Sequence, residues 1–356
     1  MIVARYMFGR LLAVFSGTAA ALFGVMFAVQ WMRLGRALGI GDVDILLLTL
    51  VPLSTFVIPM SLLFTVLLVL EKLSVDSEIV AMRASGVRDT LLFMPIVVFS
   101  LCLALVHLAV STTIGPLAMK AVHGDLMRSA PRKMLAFFKE REFNDRFRDL
   151  VLYVESVNQR KRQLKGVFLE GSKPGRFVVS ARRGNVEIDG TRVTLILKEG
   201  GMFSSAGDAD RYLTFDEYSF TLQADLEGML RIKSYDTATQ GEFRRLIEQD
   251  PSPKRVREYH NRYAFPVINI LLAAIGIVFG VQNPRSPRYT GFLIGMATIV
   301  AYYLSNVMSA RLVAARVMDP VLGAWLADIC FATFLVLVVS FRRLVAVAKR
   351  GRAWAR

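Results

Sequence analysis

Six long apolar runs punctuate this chain, at Leu11–Met32, Ile45–Leu70, Leu91–Met119, Tyr263–Val281, Tyr289–Ala310 and Val321–Phe341. Each approaches or exceeds the roughly 20 residues that an α-helix needs to cross a bilayer, so the pattern predicts six membrane spans. The second and third runs are longer than a span requires and carry Pro52, Pro59, Pro95 and Pro116, which predicts tilting, kinking or extension beyond the bilayer. Between the third and fourth runs the period changes. Short β-rich stretches, Leu150–Val157, Gly166–Leu169, Arg176–Ala181, Val186–Ile188, Thr191–Lys198 and Tyr212–Gln223, are separated there by Gly, Pro and Asp. Asp189-Gly190 is a two-residue hairpin signal. Tyr218, Phe220 and Leu222 alternate with Ser219, Thr221 and Gln223, as a half-buried strand requires.

The expected fold is therefore membrane α-helical, six helices split three and three, with an inserted all-β domain of sandwich or jelly-roll kind. Residues 1–119 hold the first three spans and a short polar helix near 74–86. Residues 120–262 form the β domain with helical connectors, 263–341 the last three spans, and 342–356 a basic tail. The connectors are Met119–Arg128 on one side and Gly241–Tyr263 on the other, the second broken at Pro251 and Pro253. The two sets of spans show no obvious sequence repeat, so an inverted-repeat secondary transporter is not inferred.

Charge sets the expected orientation. With both termini in the cytoplasm, the cytoplasmic pieces carry thirteen Lys and Arg against four in the short outer loops, as the positive-inside rule demands. The inserted domain then lies in the periplasm. The first run lacks a small-residue cleavage site and is too long for a signal-peptide core, so it is read as a retained span. A net charge of +15 raises the thought of nucleic acid, but the excess sits at membrane edges and on the tail, which reads as anchoring to the inner leaflet.

Catalytic signals are sparse. There is no Gly-x-x-x-x-Gly-Lys-Ser/Thr loop to cradle a nucleotide, so energy for any transport must come from another subunit. The three histidines, His107, His123 and His260, have no metal-ligand spacing, and no cofactor is expected. Within its span His107 reads as a packing or helix-to-helix hydrogen-bonding residue. Cys102 and Cys330 lie inside spans and supply no disulfide framework for the β domain. No enzyme is expected.

The polar segment Glu71–Thr90, between the second and third runs, reads as a surface helix. Ser74, Asp76 and Ser77 are candidate N-caps, Gly86 is a natural stop, and Val75, Ile79 and Met82 share an apolar face opposite Glu78, Ala81 and Ser85. Asp76-Ser-Glu78 followed by Met82-Arg-Ala-Ser-Gly86 resembles the signature loop of the LptF/LptG family, the lipopolysaccharide export permeases of the bacterial inner membrane. Arg5-Tyr6, Tyr153–Val157, Val167–Glu170, Glu258–Arg262 with Pro266, and Asn283–Arg285 extend the resemblance over the whole chain, with Tyr153–Val157 and Asn283–Arg285 more similar to the LptF branch.

The resemblance implies a permease subunit of an ATP-binding-cassette exporter that extracts lipopolysaccharide from the membrane. Its implied partners are a cytoplasmic LptB-like ATPase dimer, a second, LptG-like permease and periplasmic LptC/LptA-like bridge proteins. It places Glu78, with Asp76, Ala81, Met82 and Ser85, at the ATPase contact; without it Glu78 reads as a capping or solvated acid. It also places Arg33 and Arg36 at the outer end of the first span, where Arg can hold lipid phosphates bidentately, with Trp31 beside them where the family often has a basic residue. Snorkelling arginines beside an aromatic belt are the alternative. Asp328, inside the sixth span where the family often has an amide, faces either a central cavity or partner permease, or is a protonated, helix-bonded acid. Two other functions fit these features: a permease for another lipid or a lipoprotein, and a non-transporting envelope scaffold.

Overall fold

The computed structural model describes residues 2–38, 43–125, 140–147, 150–158, 162–171, 176–189, 192–206, 209–223, 235–282 and 290–354. The chain divides into two units, one of residues 1–29, 49–118 and 238–356 and the other of residues 30–48 and 119–237. Helices α1 (Ile2–Leu38), α2 (Val43–Val75), α3 (Glu78–Ala84) and α4 (Asp89–Ala109) come before the sheet. Helices α5 (Gln240–Gln249), α6 (Pro253–Gly280), α7 (Thr290–Ala314) and α8 (Pro320–Trp354) follow it.

Among the described residues six helical segments are long and apolar enough to cross a membrane: Val3–Met32, Val43–Val75, Asp89–Asp125, Pro253–Gly280, Thr290–Ala314 and Pro320–Arg343. The chain is thus a six-helix membrane protein with an inserted antiparallel β domain, as the apolar runs predict. The fourth helix starts earlier than its apolar run. Pro253 occupies its first turn, where a missing N–H costs nothing, so Pro253–Arg262 is continuous with the span.

In the helical unit α2 is the most deeply buried span. Glycine pairs four residues apart let its neighbours reach it. A Cβ at Gly276 or Gly280 of α6 would meet Val66 or Leu70 of α2 at 2.6 and 2.9 Å, and one at Gly295 of α7 would meet Phe64 at 2.9 Å. Lipid supplies no hydrophobic force between helices, so this close backbone packing carries the association.

Polar links add to it. Asn269 of α6 hydrogen-bonds His107 of α4 at 2.9 Å, both fully buried. Arg257 donates to the backbone and side-chain oxygens of Asn306, each at 3.0 Å, and the Ser309 hydroxyl donates to the Gly323 carbonyl, which ties α6, α7 and α8 together. After α4 the helix passes through a π-helical segment, Val110–Ile114, just ahead of Pro116. Pro116 has no N–H for the carbonyl of Thr112, and the local rewinding absorbs that loss.

The second unit holds one six-stranded antiparallel sheet, β1 (Phe143–Phe147), β2 (Leu150–Asn158), β3 (Gln163–Gly171), β4 (Arg176–Asp189), β5 (Arg192–Ala206) and β6 (Ala209–Gln223), in sequential order. The all-β domain expected from the sequence is there. Its connectivity is a meander, and no Greek-key crossover joins the described strands. Asp189, read from the sequence as the first residue of a two-residue turn, is instead the last residue of β4 and pairs with Arg192 of β5, while Gly190 lies outside the described residues. The core is one face of alternating residues, Leu152, Val154, Val167, Leu169, Val179, Leu195 and Leu197 among them, and Phe215 and Phe220 of β6 pack on its margin. One transverse row, Glu155, Gly166, Arg182, Glu199 and Asp216, drops out of the ladder in four successive strand pairs with no change of register. Gly166 and Glu199 in that row have φ of 61° and 55°, which turns their peptide groups out of the ladder.

Candidate functional site

The polar segment folds as a tight reversal between α2 and α4. Ser77 sits at the N-cap position of α3 with φ 57°, and its side chain makes no capping bond. This corrects the capping expected from the sequence. The left-handed residue ends α2 and starts α3 in one step, which takes its hydroxyl off the helix N-terminus. Ser74 is also diverted: its hydroxyl donates to Leu70 O at 2.7 Å and accepts from the backbone N–H of Gln282 at 3.3 Å. Asp76 is exposed one residue ahead of the cap position. The stop is as expected. Gly86 has φ 84°, with Gly86 N–H bonded to Arg83 O and Val87 N–H to Met82 O, a Schellman closure that favours glycine at its left-handed position.

Ile79 is 2% exposed and packs with Met7, Leu73 and Leu92, and Met82 lies half-buried against the same cluster. Met82 therefore seats the helix, while Ala81 and Ser85 face outward. Val80, 57% exposed, and Ala84 extend the outward face. Positions 80, 81, 84 and 85 form one contiguous patch of small and apolar side chains. The helical spacing alone could have shown Val80 and Ala84 as part of it.

Glu78 is not a free acid. Its Oε1 accepts from Arg10 Nη2 at 3.1 Å and its Oε2 from the Tyr6 hydroxyl at 2.9 Å, so both oxygens are engaged by α1. The Arg10 guanidinium also lies over the Tyr6 ring, 4.6 Å from its centroid. Beyond the helix, Arg83 holds Asp89 through two nitrogens, at 2.8 and 3.3 Å, closing α3 onto the start of α4. Just before it, the buried Glu71 carboxylate takes the backbone N–H of Gly291 in the first turn of α7. A Cβ at 291 would meet Glu71 Oε2 at 2.5 Å, so glycine is what permits this contact. Neither Arg10 nor Glu71 is legible as a partner in sequence, because each acts across at least one helix.

The other residues singled out by sequence lie elsewhere. Trp31 is 38% exposed in α1. Positions 33 and 36 fall near the end of α1, and the side chains of Arg33 and Arg36 lie outside the described residues. Asp328 is 5% exposed in α8, and neither carboxylate oxygen accepts a hydrogen bond among the described residues. A charged group so placed costs a few kcal/mol. Asp328→Asn, which removes the charge and keeps the shape, is expected to raise the thermal midpoint of the purified chain by about 2–4 °C. Thermal unfolding in detergent measures it; a lowered midpoint would mean that the charged form is stabilised in place. Among the described residues no cluster of three or more His, Cys, Asp or Glu is placed to hold a metal ion.

These features define a class: a six-span membrane protein, interrupted midway by an antiparallel β domain, with a short braced helix between spans two and three. Residues 5–342 match the family described as lipopolysaccharide export system permease LptF/LptG. Over 99% of its length the chain is similar to LptF of Escherichia coli strain K12, 23% identical across 375 residues and covering all of that protein. LptF of Shigella flexneri aligns with the same identity and coverage. A Rickettsia prowazekii protein described as uncharacterized, RP871, is 20% identical over 293 residues, 76% of this chain and 79% of its own. The chain belongs to the LptF/LptG family of lipopolysaccharide export permeases, a transport component and not a catalytic enzyme.

Proposed function

We propose that this chain is the LptF-like permease of a lipopolysaccharide exporter in the bacterial inner membrane. It pairs with an LptG-like permease, is driven by an LptB-like ATPase dimer in the cytoplasm, and passes lipid to LptC/LptA-like bridge proteins in the periplasm. The observation that carries this reading is α3: a short helix, seated by Ile79 and braced through Glu78, that turns Val80, Ala81, Ala84 and Ser85 outward. Such a face suits an apolar groove on a motor subunit, and the chain has no nucleotide loop of its own. Arg33 and Arg36 would meet lipid phosphates near the outer end of span one. The exposed Phe203, Tyr212 and Leu213 of the β domain would offer apolar surface to acyl chains in transit. Each buried CH₂ favours an apolar site by about 0.8 kcal/mol, so lipid is best moved from one apolar surface to another and its extraction must be powered.

Affinity purification in mild detergent, followed by identification of bound proteins and lipids, tests the reading. The expected result is co-recovery of a nucleotide-binding subunit, a second permease and lipopolysaccharide. Recovery with a different lipid would reassign the cargo, and recovery with no nucleotide-binding subunit would favour an envelope scaffold.

Both termini are assigned to the cytoplasm and the β domain to the periplasm, from the thirteen-to-four distribution of basic residues. Single cysteines replacing Ser204 and Ser286, in a chain lacking Cys102 and Cys330, check this. An impermeant thiol reagent added to cells with a permeabilised outer membrane is expected to label position 204 and spare position 286. The reverse pattern would invert the topology.

A further inference from the structure

We propose that spans three and four share a hinge where each helix is broken, and that the segment Pro253–Arg262 swings about it together with α5, held in place by Arg257. The proposal concerns the helical unit alone and goes beyond any reading of the cargo. The two breaks are matched. In α6, Pro266 has no N–H for the carbonyl of Arg262. That carbonyl accepts instead from the Ser111 hydroxyl at 2.9 Å, and Ser111 lies in the π-helical segment of span three, ahead of Pro116. Each helix thus turns its irregular stretch toward the other's, and prolines and π-helical turns are where long helices bend. Polar groups around the breaks are left over. Asn269 uses its amide nitrogen on His107 Nδ1 and on Pro266 O, while Asn269 Oδ1, Asn261 Oδ1 and His107 Nε2 are buried with no hydrogen-bond partner among the described residues. Orphaned groups on both sides of a joint cost stability in the arrangement seen, which narrows the gap to another.

What lies beyond the break is one body. Phe243 of α5 is fully buried, with the Arg262 guanidinium 4.6 Å from its ring centroid and the Tyr259 ring edge-on at 5.9 Å. Arg262 Nη1 donates to Ala238 O at 2.8 Å, and Thr239 with Glu242 forms a capping box that fixes the start of α5. Arg257 tethers this body to α7: its Nη2 donates to both oxygens of Asn306, and its Nε reaches Ser309 Oγ at 3.4 Å. From Pro253 to Arg262 the helix covers about 15 Å, so a change of about 20° at the break carries the Pro253 end through roughly 5 Å. The chain returns to the helical unit at residue 238, so its re-entry is carried on a jointed arm rather than on a straight span.

Two measurements on the full chain in detergent test this. The first is a double-mutant cycle at the break. Ser111→Ala is expected to lower the thermal midpoint by about 2–4 °C, but by less than about 1 °C in a Pro266→Ala background, where the restored N–H satisfies the Arg262 carbonyl. Equal losses in both backgrounds would mean that Ser111 does not close the break, and would overturn the shared hinge. The second reads motion, as the distance between spin labels on cysteines replacing Arg245 of α5 and Leu304 of α7, both exposed, in a chain lacking Cys102 and Cys330. Wild type is expected to show one population, with any second below about a tenth. Arg257→Met, which keeps the bulk and releases the tether, should raise a second population about tenfold, and adding Pro266→Ala should return it to the wild-type level. Should Arg257→Met fail to insert, Asn306→Ala weakens the same tether from the other side. A merely structural role for Arg257 would lower the midpoint without changing the distances. One unchanged population in these variants overturns the proposal, as does a second population that survives Pro266→Ala.

Discussion

Glu78→Lys is expected to abolish most lipid release per ATP hydrolysed while leaving the chain inserted and folded. The substitution places an ammonium beside the Arg10 guanidinium, 3.1 Å from the replaced carboxylate, and deprives the Tyr6 hydroxyl of its acceptor. The pair is about 30% exposed on each side, where an ion pair contributes only about 0.2–1 kcal/mol to stability. That is too little to unfold a helix seated by the fully packed Ile79 and Leu92. Because α3 is read as the helix that docks the ATPase, reversing a charge on it is expected to be felt in coupling or assembly, by roughly tenfold to a hundredfold. ATPase co-purification and lipid release from reconstituted vesicles measure the two separately. Unchanged values for both would take Glu78 out of the mechanism.

Arg33→Glu is the second large effect expected, in cargo capture. A charge-assisted hydrogen bond from a guanidinium to a phosphate oxygen contributes about 1.5–3 kcal/mol, or roughly tenfold to a hundredfold in occupancy. Replacing it by a carboxylate adds repulsion from the same phosphate. Arg33→Lys keeps the charge and loses only the bidentate geometry, so its defect should be smaller. A photo-crosslinker at position 33 in the active complex is expected to capture lipopolysaccharide. If none is captured and Arg33→Glu exports normally, Arg33 is an interfacial anchor beside Trp31 and nothing more.

Much of the fold was legible because its signals are local. A run of about 20 apolar residues can satisfy its backbone in a bilayer only as a helix, which is why six spans could be counted without any contact being known. Alternation in Tyr218–Gln223 and the Asp189-Gly190 signal announced strands and a hairpin for the same reason. Gly86 foretold the end of α3, since a left-handed closure disfavours residues with a Cβ.

What the sequence misjudged depended on neighbours far along the chain. Ser74 and Ser77 have the chemistry of caps, but a left-handed turn and the Gln282 backbone claim them first. The sheet order and the row of interrupted pairs are likewise set by strands meeting across the domain.

The candidate site divides along the same line. Taken alone, the sequence placed a short polar helix between two spans, identified its acid and its stop, and through family resemblance suggested what docks there. Only the tertiary structure decided how that acid is used. Tyr6 and Arg10 lie 72 and 68 residues from Glu78, on a helix whose own pattern reads only as membrane span. The glycines of α6 and α7 became contacts only when α2 came to lie against them. Helical periodicity fixes which residues share a face, and the packing of one helix on another fixes what that face meets.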